Sequence, residues 1–405
     1  MTRILLANLA SPANPGDQAI LQGSLKLLRS FFKDPKITLV TRAISRKSFY
    51  EGLGCSTIPS YPNVEPIGTD CLPKKFVNAV STFYQPGPLW EAVRNSDLIF
   101  LAGGAYFYSY RRGFPGLTFL SHLPAVEWAR KMKKPVIFLP QSYGPLKSWV
   151  SQQLFARAVQ RADLVFFREN LSGEWLGKKF PSLGQRFSFM PDLALFLEKE
   201  DLLEQVRPNV LKPSRVGVTI RSWQVTPEAE KSYLETLVEA LSWLHQTHGL
   251  KIRSIVQVQD PKKGEGDEWI SHLLEERLIQ KLGKESVELS TAHPYFQLKE
   301  ICSLYRECDF LLATRLHSAL LTFLVGRPAL VAGYQHKTEG ILKALGLEEL
   351  YLGPLESVGL EGIKKAFENL WQRKEEWIQK IDLALNRARS EIRGVFEKKA
   401  GSFFQ

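Results

Sequence analysis

Arg315 and His317, one residue apart in the run Thr314-Arg-Leu-His-Ser318, are the pair whose types and spacing best suit chemistry. An arginine grips a carboxylate or phosphate through two parallel hydrogen bonds, and an imidazole exchanges protons near neutral pH. The pair follows the apolar run Cys308-Asp-Phe-Leu-Leu-Ala313, which reads as a buried strand. It precedes an apolar helix that Gly326 stops, and Pro328 then opens a second strand. In open parallel sheets ligands settle outside the carboxyl ends of the strands, where a helix start offers N–H groups and partial positive charge. An arginine and a histidine there fit an anion; a surface arginine beside a histidine that only caps the turn is the plainer alternative.

Other residues occupy comparable places. Arg221 follows the apolar run 216–220 and Arg168 follows 163–167, so each falls at a strand's end. In the loop after the first strand Gly16 permits close backbone approach, and a substrate at its tip meets Asn14, Asp17 and the helix's N–H groups. Asp17 as an N-cap, placed to open a helix over 17–32, is the competing explanation. Gly103 and Gly104 end the strand 97–102, where a ligand or a neighbouring loop can come close. Residues 105–116 form a loop dense in aromatics and arginine. Flat rings suit the apolar faces of sugars and arginines suit anions, with packing across a cleft as the competing use.

These residues need strands and helices in alternation to position them. Strands are expected over 3–7, 36–41, 97–102, 135–140, 163–167 and 187–190, with helices over 117–131 and 149–160 and one opened by Ser172. Residues 45–88 read as irregular structure with short elements, 141–145 as a tightly turned strand exit, and 198–214 as a linker. A second series follows: strands over 216–220, 252–257, 287–289, 308–313 and 329–332, helices over 232–248, 269–282, 295–306 and 338–345, and a flexible loop over 261–267. The alternation predicts an α/β chain of two Rossmann-like doubly wound domains facing a cleft, residues 1–200 and 210–360. Residues 361–405 read as a helical tail packed across both, or as a basic amphipathic helix lying on anionic lipid.

With 405 residues the chain exceeds what one core usually supports. The formal charge of +11 is spread along the chain, which favours an anionic substrate or membrane surface over nucleic acid; no zinc finger, RNA-binding signature or long basic run is present. Cys55, Cys71, Cys302 and Cys308 show no metal-ligand spacing, so no metal site and a reduced, cytoplasmic protein are expected. The opening segment imitates a signal peptide but is broken by Asn8 and reads as a strand. No apolar stretch approaches the roughly 20 residues that span a bilayer, so membrane contact is expected only at the periphery.

Taken in order, Pro15-Gly16-Asp17, Ala102-Gly-Gly-Ala, Gln141-Ser-Tyr-Gly-Pro145, Arg168-Glu-Asn-Leu-Ser172, Pro191-Asp192, Arg221, Arg315-Leu-His317 and Tyr334-Gln-His-Lys337 resemble the polysaccharide pyruvyl transferase family. That family's fold is similar to the two-domain glycosyltransferases called GT-B. The resemblance implies transfer of a pyruvyl group from phosphoenolpyruvate to two hydroxyls of a sugar, giving a cyclic ketal and phosphate, in cell-surface or exopolysaccharide biosynthesis. It makes Arg315 and His317 donor-site residues and adds Arg221 and Lys337 to substrate binding. It places the acceptor on the first domain and the donor on the second. No cofactor is implied beyond phosphoenolpyruvate as donor substrate. The partner is a saccharide acceptor, lipid-linked or free, met in the cytoplasm or at the inner membrane face; the oligomeric state stays open. Ala13 stands where the family's Gly-Asn-x-Gly-Asp opening has glycine.

Phosphoenolpyruvate carries a carboxylate and a phosphate, each needing a cationic donor, and arginines at two strand ends supply them. A protonated His317 gives carbon 3 its proton and later takes one from the second hydroxyl. Two rivals remain. A nucleotide-sugar-dependent GT-B glycosyltransferase needs an acidic residue for the ribose, for which Glu339 is the nearby candidate. A sugar-binding protein on a degenerate transferase fold needs neither Arg315 nor His317.

Overall fold

The computed structural model describes residues 1–9, 12–41, 43–60, 85–109, 117–204, 214–222, 227–259, 266–289, 297–333, 336–355 and 357–403. Its apolar runs form parallel strands, buried along nearly their whole length because helices cover both faces. Contacts divide the chain into two units. The first holds Met1–Pro12, Ala19–Phe196 and Ser390–Gln405, the second Ala13–Gln18 and Leu197–Arg389.

The first unit contains β1 (Arg3–Leu9), β2 (Lys36–Thr41), β3 (Ser56–Pro59), β4 (Leu98–Leu101), β5 (Gly104–Ser109), β6 (Val136–Leu146), β7 (Leu164–Phe167) and β8 (Phe187–Phe189). Their order is β3-β2-β1-β4-β6-β7-β8, with β5 added alongside β6. Phe107 stacks on Phe138 at 5.8 Å at the centre of an aromatic core that includes Tyr143 and Phe155. From the long helix Lys374–Ala400, Phe396 packs 5.1 Å from Phe31.

The second unit contains β9 (Arg215–Thr219), β10 (Lys251–Ser254), β11 (Val287–Glu288), β12 (Phe310–Ala313), β13 (Ala329–Gly333) and β14 (Tyr351–Pro354), ordered β11-β10-β9-β12-β13-β14. In each sheet the order reverses beside the first strand, at β1/β4 and at β9/β12. Such a reversal sends the following connections to opposite sides and opens a crevice at the strands' carboxyl ends. Glu288 ties three strands together by accepting from Arg215 of β9 at 2.8 Å and Arg253 of β10 at 2.6 Å. Phe310 meets Phe367 of the helix Leu360–Gln372 at 5.0 Å.

Several elements differ from the sequence expectation. Residues 141–145 do not turn: β6 continues through them because Gln141, Tyr143 and Leu146 pair with Gly104, Phe107 and Ser109 of β5, itself expected to be loop. The expected helix over 117–131 is broken at Pro124, which lacks an N–H and starts a new helix, Pro124–Lys131. Residues 45–88, in contrast, hold short elements as expected, among them a helix Lys47–Gly52 and the edge strand β3; residues 61–84 lie outside the described residues. β14, ending Gly353-Pro354, had no expectation, since only an edge strand tolerates that ending. The described cysteines, Cys55, Cys302 and Cys308, are free and buried. Among the described residues no helix is long and apolar enough to cross a membrane.

Candidate active site

Three adjacent strands of the second sheet, β9, β12 and β13, lead at their carboxyl ends to Arg221, to Arg315 and His317, and to Lys337. Strands about 4.8 Å apart put these exits within about 10 Å along the sheet edge. All four side chains are half-buried. Thr219, the last residue of β9, fixes the exit turn of β12: its hydroxyl meets the Ser318 hydroxyl at 2.9 Å and lies 3.4 Å from the Thr314 N–H. Ser318 in turn donates to the Arg315 carbonyl at 2.6 Å. Arg315 precedes the helix Leu316–Leu324, so His317 sits in that helix's first turn, on the positive end of its dipole.

Asp267 decides where Arg315 points. It accepts from Arg315 Nε at 2.7 Å and Nη2 at 2.5 Å, and from the Val258 N–H at 3.1 Å. Its side chain is 0% exposed against 12% for Arg315. Two side-by-side hydrogen bonds fix the guanidinium's plane and leave the pair neutral. The exits of β9 and β13 add the cationic side chains of Arg221 and Lys337. Burial raises the phenols of Tyr233 and Tyr305, keeping both protonated; Tyr305 donates to the Gln257 side-chain oxygen at 2.7 Å.

Residues 13–18 complete the arrangement inside this unit. The helix Pro15–Phe31 starts two residues earlier than expected, and Asn14 caps it, not Asp17. Asn14 Oδ1 accepts from the Gly16 N–H at 3.0 Å, while Asn14 Nδ2 donates to Asp17 at 2.9 Å. With Pro15 in the first helical position, the sequence reads Ncap-Pro-x-Asp, which places Asp17 at the third position. Gly16 lies flat against the imidazole: a Cβ there would stand 2.6 Å from His317 Cβ and Cγ and 2.8 Å from Nδ1. Gln18 anchors the same segment by accepting from the Leu298 N–H at 3.0 Å, at the start of the helix Leu298–Arg306.

The remaining candidates fall in the first unit. Arg168 is buried, with its side chain 1% exposed, paired to Asp192 and donating to Ser142 at 3.0 Å. It is not presented to a ligand as a surface cation would be. Ser172 does not open its helix either: Glu169 caps Asn170–Lys179 by accepting from the Ser172 N–H at 2.9 Å. Gly103 and Gly104 do allow close approach, but the chain itself is what approaches. Cβ positions there would meet the Pro140 carbonyl at 2.5 Å and the Tyr106 ring at 2.7 Å. Tyr106 packs on His122, and residues 110–116, with Arg111 and Arg112, lie outside the described residues.

Sequence reasoning missed Asp267, Gln18, Thr219 and Ser318. Asp267 ends a segment expected to be a flexible loop, yet it is a fully buried anchor. Its position just before the helix Glu268–Leu282 carried a start signal that went unread.

Two Rossmann-like parallel sheets, each with a switch point, define a GT-B-like α/β protein. The UDP-GlcNAc 2-epimerase of Neisseria meningitidis, solved with UDP-GlcNAc, shares this fold with a TM-score of 0.63 at 12% identity, over 99% of this chain and 100% of that one. A UDP-N-acetylglucosamine 2-epimerase described as putative from Listeria monocytogenes scores 0.62, again at 12% identity, covering 98% of this chain and 97% of that one. Sequence places the chain more narrowly. It belongs to the polysaccharide pyruvyl transferase family, which it matches over residues 14–336, and is thus a transferase. It is also 22% identical over 377 residues to the amylovoran biosynthesis protein AmsJ of Erwinia amylovora, covering 86% of this chain and 87% of that protein.

Proposed function

We propose that the protein transfers a pyruvyl group from phosphoenolpyruvate to two hydroxyls of a sugar, closing a cyclic ketal and releasing inorganic phosphate, as a step in building an exopolysaccharide. The observation that carries this reading is the order of the strand exits: β12, which leads to His317, lies between β9 and β13, which lead to Arg221 and Lys337, beside the β9/β12 switch point. A small dianion needs cations for both its ends, and those exits offer them beside a proton carrier. Family membership and the likeness to an amylovoran biosynthesis protein support the same direction.

The steps balance without any other reactant. One sugar hydroxyl oxygen bonds to carbon 2 while protonated His317 delivers its proton to carbon 3, turning the methylene into a methyl group. The carbon–oxygen bond to phosphate then breaks, the second hydroxyl oxygen bonds to carbon 2, and neutral His317 takes its proton. The first hydroxyl's proton departs with phosphate. Arg315, held by Asp267, supplies a fixed N–H edge, and Arg221 and Lys337 supply further cationic donors. We assign donor binding to the second unit and acceptor binding to the first, and place the reaction in the cytoplasm, where phosphoenolpyruvate is made.

Thermal-shift measurement on the full chain tests this reading. Phosphoenolpyruvate is expected to raise the melting temperature and UDP-, GDP- and CMP-sugars are not, with the effect lost in Arg221→Gln. Stabilisation by a nucleotide sugar and none by phosphoenolpyruvate would replace the proposal with a glycosyltransferase.

A further inference from the structure

At the opposite edge of the second sheet, before the amino ends of β12 and β13, three cations gather. Arg306 ends the helix Leu298–Arg306, Arg327 precedes β13, and Lys199 opens the short helix Lys199–Leu202, which packs against Leu298–Arg306. All three are half-buried. Arg327 Nε donates to the Arg306 carbonyl at 3.1 Å, which holds one guanidinium beside the other residue's backbone. Among the described residues no carboxylate lies within ion-pair distance of any of the three; Asp382 and Glu200 act on Lys199 only from further away. Elsewhere in this unit the largely buried guanidiniums of Arg215, Arg253 and Arg315 each meet a carboxylate.

The cluster closes over a glycine. Gly326, which ends the helix Leu316–Leu324 with φ +74°, has no side chain. The point where a Cβ would stand is 3.2 Å from Lys199 Nζ and 3.9 Å from Arg306 Nη1. Those two nitrogens are therefore no further apart than these distances laid end to end, a span that one phosphate group bridges. Burial first, and then the charge of Arg306, pull the Lys199 ammonium below its usual range; burial and Arg327 do the same to Arg306. Like charges crowded out of water with no counterion raise the energy of the folded chain, and a bound anion removes that cost.

We infer that Lys199, Arg306 and Arg327 form an oxyanion site for a phosphate group, separate from the candidate donor site. β12 is 4 residues long, so its two ends lie about 13 Å apart, and no single phosphate reaches both Arg306 and Arg315. Two arginines and a lysine gathered over a glycine match the charge of a phosphate monoester or inorganic phosphate. The inference does not depend on the proposed reaction.

The test is a melting curve of the full chain in sodium phosphate against sodium chloride of equal ionic strength. At phosphate near ten times its Kd a rise of about 1–2 °C is expected. That rise should persist in Arg221→Gln/His317→Ala, whose donor site is disabled, and vanish in Arg306→Gln/Arg327→Gln and in the milder Lys199→Gln. Sedimentation with phosphatidylcholine vesicles, with and without phosphatidic acid, whose headgroup is a phosphate monoester, separates a lipid headgroup from free phosphate as the source. Anionic-vesicle binding lost in the same variants assigns a lipid, and its absence beside a phosphate response assigns a soluble phosphate. The inference is overturned if phosphate acts no more than chloride, if its effect is unchanged in Lys199→Gln and Arg306→Gln/Arg327→Gln, or if it disappears with the donor-site variant.

Discussion

Replacing Gly16 by alanine perturbs the imidazole without touching a chemical group. Gly16 lies in the first turn of the helix Pro15–Phe31, so alanine there brings no backbone strain and favours the helix by about 1 kcal/mol. The added methyl would stand 2.6 Å from His317 Cβ and Cγ, where ordinary contact begins near 3.6 Å, so the ring or the helix start must give by about 1 Å. Overpacking of this kind costs about 1–3 kcal/mol, which the helix gain partly offsets, leaving a folded protein destabilised by about 0–2 kcal/mol. Activity should suffer far more, because a 1 Å misplacement of a proton-transfer group lowers rate by about 10²-fold. The assay is phosphate release from phosphoenolpyruvate with a panel of hexopyranosides bearing free 4,6-diols or vicinal diols. We expect Gly16→Ala to lower kcat about 10²-fold with little change in KM for phosphoenolpyruvate. A variant with the wild-type kcat and an unmoved His317 ring resonance would refute the claim that Gly16 sets the ring's position.

Three further perturbations probe the framework. Asp267→Asn removes the charge partner of Arg315 and should lower unfolding free energy by about 3 kcal/mol in urea titration, with weaker stabilisation by phosphoenolpyruvate; unchanged stability would mean the pair forms no such anchor. Asp192→Ala in the first unit strands the buried Arg168 and should cost about 3–5 kcal/mol by the same measurement, while the KM for phosphoenolpyruvate stays unchanged in whatever protein folds. For Glu288, burial opposes ionisation, but hydrogen bonds from Arg215 and Arg253 outweigh it and hold the carboxyl below its usual 4.5. Because the folded value is the lower one, this contribution is complete above about pH 5 and is lost as pH falls through the folded value. The stability gap between wild type and Glu288→Gln should be about 1–3 kcal/mol at pH 7 and close in acid; a gap independent of pH counts against the network.

Much of the fold was legible. Buried parallel strands are apolar throughout, so β4, β7, β9, β12 and β13 stand out as short runs, and Arg221, Arg315 and His317 could be placed at strand exits from the residues alone. The edge strands β3 and β14 were hidden by Gly, Pro and Ser, because an edge strand lacks the second neighbour that excludes those residues. The cap of the first helix was misassigned because Asn14 and Asp17 are both cap formers three residues apart, and only the backbone decides between them.

The sequence by itself determined the alternation of strands and helices and the residue types at each strand's end, because both are local: hydrophobic period, glycine and proline positions, and side-chain chemistry. Only the tertiary structure decided partners. It gave Arg315 to Asp267 and Arg168 to Asp192, laid Gly16 on His317 from 301 positions away in the chain, and gathered Lys199, Arg306 and Arg327 where no carboxylate among the described residues pairs with them. Charge pairing depends on which residues the sheet order brings within a few ångströms. That order is set by burial summed over the whole chain, which no single stretch of it contains.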